Sequence, residues 1–344
     1  MSMFEHYMYV LECGDGSLYT GYSPDVKARV AAHQAGTGAK YTKSHGPVKL
    51  VACARFYTKE RAMSAEARFK KLDRRQKDRL LVLAAQRPFE EVLGAELEGF
   101  GEDSALEFVN RSIAQNVDAS YRQFHSKLVP NLDSRTIAGV RTPALRRIAK
   151  QLAKLPDKQT FLKALPHRLY DENQVHAFAI GLEKDYRTAL KLYDAFLPHV
   201  DNWATCDQLP VQVLAQQPGL TLAKVQEWLA SGKCYTIRFG IGVLMRLFLD
   251  ELFEERFLQT VAAARMPSTR QQPASKDDVY YVDMMRAWYF AEALAKQQAA
   301  ALPYFEAKGA GALLDEWTRR KAIQKAIESR RISPEMKARL RQCR

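Results

Sequence analysis

The chain opens on short aromatic and β-branched runs and closes on apolar residues at helical spacing. HYMYVL (6–11) and SLYTGY (17–22) flank Gly14, Asp15 and Gly16, a turn composition that predicts a β-hairpin. Ser23-Pro24-Asp25 predicts a helix start, with Val26, Val30 and His33 on one face. Gly36, Gly38 and Gly46-Pro47 punctuate a loop, and VKLVACARFY (48–57) predicts a third strand. Helices follow from about Lys59 to Lys71 and from about Arg74 to Ala85. The order β-β-α-β-α-α predicts a small α/β domain over residues 1–85.

Residues 86–105 change character. Arg87-Pro88, several acidic residues, Gly94, Gly99 and Gly101 predict a linker, the only major hinge and the first place a protease should cut. No strand pattern follows it. Leu145, Ile148, Leu152 and Leu155 predict one helix face, and Val225, Trp228 and Leu229 another. Prolines such as Pro130, Pro143, Pro166, Pro198 and Pro303 break the remainder into a succession of helices. Residues 106–344 therefore predict an all-α domain of stacked antiparallel helix pairs, a short α-solenoid without a tight sequence repeat.

Composition narrows the partners. The 344 residues exceed one ordinary core and suit two domains. No apolar run approaches the roughly 18 residues that cross a membrane, and MSMFEHYMYVLECGDG lacks the basic and apolar regions of a signal peptide. The five cysteines are odd in number and show no metal-ligand spacing, which predicts free thiols in a bacterial cytosol and no structural zinc. The formal net charge of +13 suits a polyanion, since each neutralised phosphate releases counterions. Positive charge is denser in residues 1–85, with 15 Lys/Arg against 8 Asp/Glu. Nucleic acid is the expected partner, narrowed to double-stranded or branched DNA only by what the motifs below resemble.

The first candidate site lies in that basic segment. Tyr7-Met8-Tyr9 is followed ten residues on by Tyr19-Thr20-Gly21, then by Arg29, and one helical turn later by His33. Gly38-Ala39-Lys40-Tyr41-Thr42 and Pro47 form a loop, and Glu66 stands in MSAEARFKKL. Singly, each has an ordinary reading: a cross-strand tyrosine pair, a solvated arginine, an ion-paired glutamate. Together, in order and spacing, they resemble the GIY-YIG nuclease superfamily. The resemblance implies a phosphodiesterase fold over residues 6 to about 80, with Tyr9 as general base, Tyr19 as a positioning group and Glu66 as the ligand of a magnesium or manganese ion. Phosphodiester hydrolysis gives these residue types work. Arg29 can fork onto phosphate and oppose developing charge. Tyr9 or Tyr19 can take the proton of water if nearby cations lower a phenol. His33 can relay protons, and Lys40 is a candidate DNA contact.

The second candidate site lies among the helices. VDNWATCD (200–207) sets Trp203 and Asp207 four residues apart on one helix face, YTIRFGIGVLM (235–245) contributes Arg238, and DDVYYVDMMRAWYFAEAL (277–294) contributes Trp288. With GVRTPALRRIAK, these segments resemble the AlkD-like DNA alkylation repair family, DNA glycosylases built from HEAT-like helical repeats. The resemblance places Trp203, Asp207, Arg238 and Trp288 in a DNA-binding cleft, with Tyr121 or Phe124 as further cleft aromatics, and implies no cofactor there. An N3- or N7-alkylated purine is cationic and leaves readily. Asp207 would stabilise the oxocarbenium-like sugar, Trp203 and Trp288 would attract the cationic base, and Arg238 would hold a backbone phosphate. The basic stretch 317–340 reads as a solvated amphipathic helix that also touches phosphates.

The combined expectation is a DNA repair protein that excises alkylated bases and cuts phosphodiester bonds. Two other readings fit the same residues: a structure-specific endonuclease whose helical domain only binds distorted DNA, and a non-enzymatic DNA-binding scaffold.

Overall fold

The structure is a computed structural model that describes residues 5–97, 100, 104–269 and 273–343. Strands β1 (His6–Cys13), β2 (Leu18–Ser23) and β3 (Val48–Phe56) form an antiparallel sheet in the order β2-β1-β3. The hairpin turns where the glycines predicted it, and Gly16 takes a left-handed backbone (φ 77°) that side chains resist. The two-residue period of β1 divides the module into two small cores. Met8 and Val10 pack on one side, Tyr9 and Leu11 on the other. The register pairs Tyr9 with Gly21 and Leu11 with Tyr19, which puts both tyrosines on the second face. Val26 and Val30 of α1 (Val26–Gln34) cover that face, and the Asp25 carboxylate caps the helix by accepting from the Ala28 N–H at 2.9 Å. The expected loop contains a short helix, α2 (Lys40–Ser44). The Met8 face is covered by α3 (Lys59–Lys71) and α4 (Arg74–Ala84), both close to their expected bounds.

The expected linker differs. Helix α5 (Phe89–Glu96) occupies it, and Phe89, Val92, Leu93, Leu97 and Phe100 are buried in the core under β1 and β3. Glu90, Glu91, Glu96 and Gly94, which suggested a hinge, stand away from that buried face of an amphipathic helix. Gly99 and Gly101, also part of that reading, lie outside the described residues. The next helix, α6 (Ala105–Gln115), is tied to the module through a buried carboxylate. Glu107 accepts from the Tyr57 N–H and from the Thr58 hydroxyl, each at 2.6 Å, and Thr58 is the N-cap of α3. Burial pushes the Glu107 carboxyl up, against these hydrogen bonds and the charge of Arg61.

The compact units therefore divide differently from the expected boundary at 86–105. One comprises residues 1–119 and 140–164, the other 120–139 and 165–344. The helix α7 (Ala119–Leu128) falls almost wholly in the second; α8 (Thr142–Leu152) and α9 (Lys158–Leu162) belong to the first, where both pack on α6. Leu145, Ile148 and Leu152 are buried as their spacing predicted, while Leu155 follows the helix end.

The second unit is helical throughout its described residues. It continues with α10 (Tyr170–Ile180), α11 (Tyr186–Phe196), α12 (Trp203–Gln208), α13 (Pro218–Leu229), α14 (Cys234–Leu247) and α15 (Arg256–Ala263). The long α16 (Lys276–Lys296), the short α17 (Gln298–Ala301) and α18 (Pro303–Glu306), then α19 (Glu316–Glu328) and α20 (Pro334–Gln342) complete it. Helices α13, α14, α16 and α19 pack in succession, each on the next, around one extended apolar core. A small sheet domain followed by a helical repeat domain is the fold class the sequence predicted. Among the described residues no helix is long and apolar enough to cross a membrane.

Because Phe89 is core and not linker, Phe89→Ala should destabilise its unit by about 3–5 kcal/mol, as for other buried phenylalanines. Chemical denaturation measures this, and an unchanged transition would restore the linker reading.

Candidate functional sites

The first site is built around a buried phenol. Tyr9 is wholly covered at the centre of β1, and its Oη lies 2.9 Å from His33 Nε2. Two glycines make room. A Cβ on Gly21, the cross-strand partner, would fall 2.5 Å from the Tyr9 hydroxyl oxygen, and one on Gly38 would collide with the His33 ring. His33 Nδ1 lies 2.6 Å from Thr42 Oγ1. The Thr42 hydroxyl donates to the Ala39 carbonyl at 2.9 Å, so its oxygen accepts from His33 Nδ1–H. The Ala39 N–H approaches the same ring nitrogen at 3.4 Å and is the weaker contact there. This tautomer leaves Nε2 as the acceptor of the Tyr9 O–H.

Arg29 Nε donates to Tyr9 Oη at 3.4 Å. Nearby cations were expected to lower the phenol, but burial, the larger influence, raises Tyr9 above its ordinary value, against the hydrogen bond and charge of Arg29. Burial and Arg29 together lower His33. The resting site thus holds a protonated phenol on a neutral imidazole. Tyr19 stands beside it, its ring centroid 5.0 Å from His33 and 6.4 Å from Tyr9. Tyr41 stacks at 6.3 Å on the outer side of Tyr19. Tyr9, Tyr19, Arg29 and His33 therefore converge as expected. Lys40 is exposed at the start of α2 and touches none of them in the described contacts.

Glu66 comes from α3, and its charge reaches Tyr9. Its side chain is 17% exposed and carries an ion pair to Lys70, one turn on, at 2.5 Å. No cluster of three or more His, Cys, Asp or Glu suited to a metal occurs among the described residues. A single carboxylate still fits magnesium or manganese, which take one or two carboxylates and complete their shell with water and phosphate oxygens. Thr42, Lys70, Gly21 and Gly38 were not singled out as functional by sequence reasoning, although all four lie inside the quoted segments.

The second site centres on an ion pair. Asn202 caps α12 by accepting from the Thr205 N–H at 2.8 Å, and Trp203 and Asp207 follow on that helix. Arg238, from the buried α14, grips Asp207 through both forks: Nε to Oδ1 at 2.8 Å and Nη2 to Oδ2 at 2.7 Å. Its third nitrogen, Nη1, donates to the Tyr281 carbonyl at 2.6 Å. With a side chain 6% exposed and all three nitrogens engaged, Arg238 is not placed as the expected phosphate clamp; it positions Asp207. A buried guanidinium needs a counter-charge, and Asp207 supplies it. Arg246 braces the same turn by donating to the Leu209 carbonyl at 2.9 Å.

Asp207 itself keeps 15% of its side chain exposed, and each carboxylate oxygen retains a second lone pair. Asp207, Arg238, Met285 and Trp288 line one cavity of about 20 Å³, room for about one water. Trp288 is partly buried there, its Nε1 donating to Glu292 at 3.3 Å. Trp203 is not part of that cavity. Its indole donates to the Leu128 carbonyl at 3.0 Å and packs both with the small cluster around Tyr170 and against the main core. Beyond it lies an aromatic tier in which His125 packs at 4.6 Å on Tyr170 and at 5.5 Å on Tyr121. Phe124 is 58% exposed. Sequence reasoning missed Lys325 of α19, whose Nζ lies 6.0 Å from the Trp288 ring centroid. Its stretch reads as a solvated amphipathic helix that also touches phosphates, and no local signal directs that one lysine inward.

Residues 5–79 match the family described as the GIY-YIG catalytic domain, and residues 109–271 the one described as DNA alkylation repair enzyme. A UPF0213 protein of Streptococcus sanguinis is 62% identical over 71 residues, which are 21% of this chain and 82% of the relative. The UPF0213 protein BH0048 of Halalkalibacterium halodurans is 53% identical over 78 residues, 23% of this chain and 83% of the relative. A solution NMR structure of the UPF0213 protein BH0048 from Bacillus halodurans is 47% identical, covers 27% of this chain and 97% of its own, and gives a TM-score of 0.18.

Arg238→Met should cost about 3–5 kcal/mol, because it strands a largely buried carboxylate. The double variant with Asp207→Asn should recover much of that loss. A double-mutant cycle by denaturation tests the pair, and additive losses would dissolve it.

Proposed function

This chain belongs to the GIY-YIG family through its N-terminal module and carries a DNA alkylation repair enzyme domain behind it, and we propose on that premise a repair enzyme that excises N3- or N7-alkylpurines and cuts the DNA backbone. The observation that carries the nuclease half is the chain Tyr9 to His33 to Thr42, with Arg29 on the same phenol. Water attacks the phosphorus as Tyr9 Oη accepts its proton and hands its own to His33 Nε2. This concerted transfer avoids a free phenolate, which burial disfavours. Arg29 opposes the charge that builds on the phosphorane-like oxygens. Tyr19 and Tyr41 wall the approach, and basic residues of α3 and α4, including Arg68, Lys71 and Arg75, favour the DNA backbone. A divalent ion held by Glu66 would supply charge neutralisation and leaving-group assistance.

The glycosylase half rests on Asp207, partly exposed in the cavity it shares with Trp288. Departure of a cationic purine leaves an oxocarbenium-like sugar, which the carboxylate stabilises while orienting the water that attacks C1′. Arg238 fixes the carboxylate's direction and, through its own neutralising charge, moderates its strength. The excision reading therefore needs the lone pairs that Arg238 leaves free.

Glu66→Gln should abolish magnesium-dependent cleavage and leave DNA affinity within about twofold, since little phosphate attraction is removed. Cleavage gels and fluorescence anisotropy measure the two, and cleavage in chelator that survives the substitution would reject the site. Asp207→Asn should slow release of N7-methylguanine from alkylated duplex by at least about tenfold, equal to about 1.4 kcal/mol. Undiminished release would remove Asp207 from the chemistry. No release from the unsubstituted protein would favour a helical domain that only binds DNA.

A further inference from the structure

Lys325 is an amine that neither reaction uses. Helix α19 packs along α16, and Lys325 projects from it toward Trp288, a wall of the Asp207 cavity. The side chain is half-buried, and the charges of Asp207 and Arg238 reach it. Two lysines of this unit are neutralised, Lys224 by Asp194 and Glu227 and Lys296 by Asp250. Among the described residues Lys325 makes no such ion pair.

We propose that Lys325 is an amine nucleophile for abasic sugars, which gives the helical unit a metal-independent lyase activity on DNA. The inference rests on the reading that Asp207 faces the sugar. A phosphate-gripping lysine ordinarily stands at a wet rim with its ammonium solvated. Lys325 instead faces, at 6.0 Å, the indole that walls the cavity of the carboxylate proposed to stand at C1′. Burial pushes its ammonium below the ordinary lysine range; Glu328 and Asp207 oppose this, while Arg238 and Lys321 add to it. More of the amine is thereby neutral and able to attack.

The chemistry closes without an oxidant or a metal. An abasic deoxyribose exists as a hemiacetal in equilibrium with an open-chain aldehyde. Lys325 Nζ adds to C1′, the C–N bond forms, and the C1′ oxygen, taking up one proton from solvent besides the one it receives from the amine, leaves as water to give a protonated imine. The imine acidifies C2′, and Asp207 accepts the C2′ proton. The freed electron pair forms the C2′=C3′ double bond, the C3′–O3′ bond breaks, and the phosphate departs with its electrons. Water then hydrolyses the imine and returns the amine. The strand ends in an unsaturated aldehyde, unlike the product of phosphodiester hydrolysis.

The test uses the full chain, a duplex with one synthetic abasic site and excess chelator, so that neither base excision nor a metal is required. Cyanoborohydride should trap a covalent protein–DNA adduct, and without reductant the strand should be nicked by β-elimination. Lys325→Arg keeps the charge but forms no stable imine, and it should lose adduct and nick by at least tenfold. Lys325→Ala should do the same, with thermal melting confirming that each variant folds. No adduct from the unsubstituted protein, or an adduct undiminished in both variants, overturns the proposal. Release of N7-methylguanine, measured in parallel, separates the two readings. Base release without an adduct removes the lyase alone. An adduct without base release removes excision and leaves the amine chemistry standing.

Discussion

The Tyr9 phenol is packed between its own sheet and α1, and the N-terminal module is arranged around the need to satisfy its hydroxyl. A buried hydroxyl left without a partner costs about 1–3 kcal/mol, a large share of a small domain's stability. His33 meets that need only if its ring is turned by Thr42 and Gly38 stays small, and Thr42 is in place only because α2 forms within the loop. The same contacts that satisfy the phenol also set its proton on a path to an imidazole. Stability and proton transfer are served by one hydrogen-bond chain.

The helical unit meets an analogous demand with charges. Arg238 is among its most deeply buried cations, and Asp207 is the counter-charge that makes this tolerable. Such a pair adds little net stability, because desolvation offsets attraction, yet it fixes a carboxylate in one orientation beside a cavity. Direction is what an electrostatic site requires, since preorganised charge needs no rearrangement at the moment of reaction. The expected phosphate contact is lost from Arg238 by the same burial that makes it a good positioning residue.

Helix α3 shows how a core decision reaches a site. Its first turn is capped by Thr58, Thr58 is held by Glu107 of α6, and Glu66 rides two turns further along. The position of the candidate metal ligand thus depends on a helix that lies beyond the sheet module in sequence. The segment between them is accordingly packed as α5 and not left as a hinge: an unpacked connection would leave Glu107 a buried carboxylate without fixed partners.

The sequence alone determined the hairpin, the two-faced strand β1, the helices α1, α3 and α4, and the helical character of the chain beyond the sheet module. These depend on local turn chemistry and on periods of 2 and 3.6 residues, which are written in neighbouring positions. It also determined which residues gather at the first site, because Tyr9, Tyr19, Arg29 and His33 are spaced by elements whose geometry is local. Tertiary structure decided the rest. Whether Phe89 and Leu93 form a linker or a core depends on an apolar surface waiting for them under β3. Whether Arg238 meets phosphate or Asp207 depends on how α12 sits against α14. That Lys325, among many lysines, faces Trp288 depends on the rotation of α19 against α16. In each case the deciding partner lies tens of residues away, and the choice turns on the cost of burying a polar or charged group, which no local window of sequence contains.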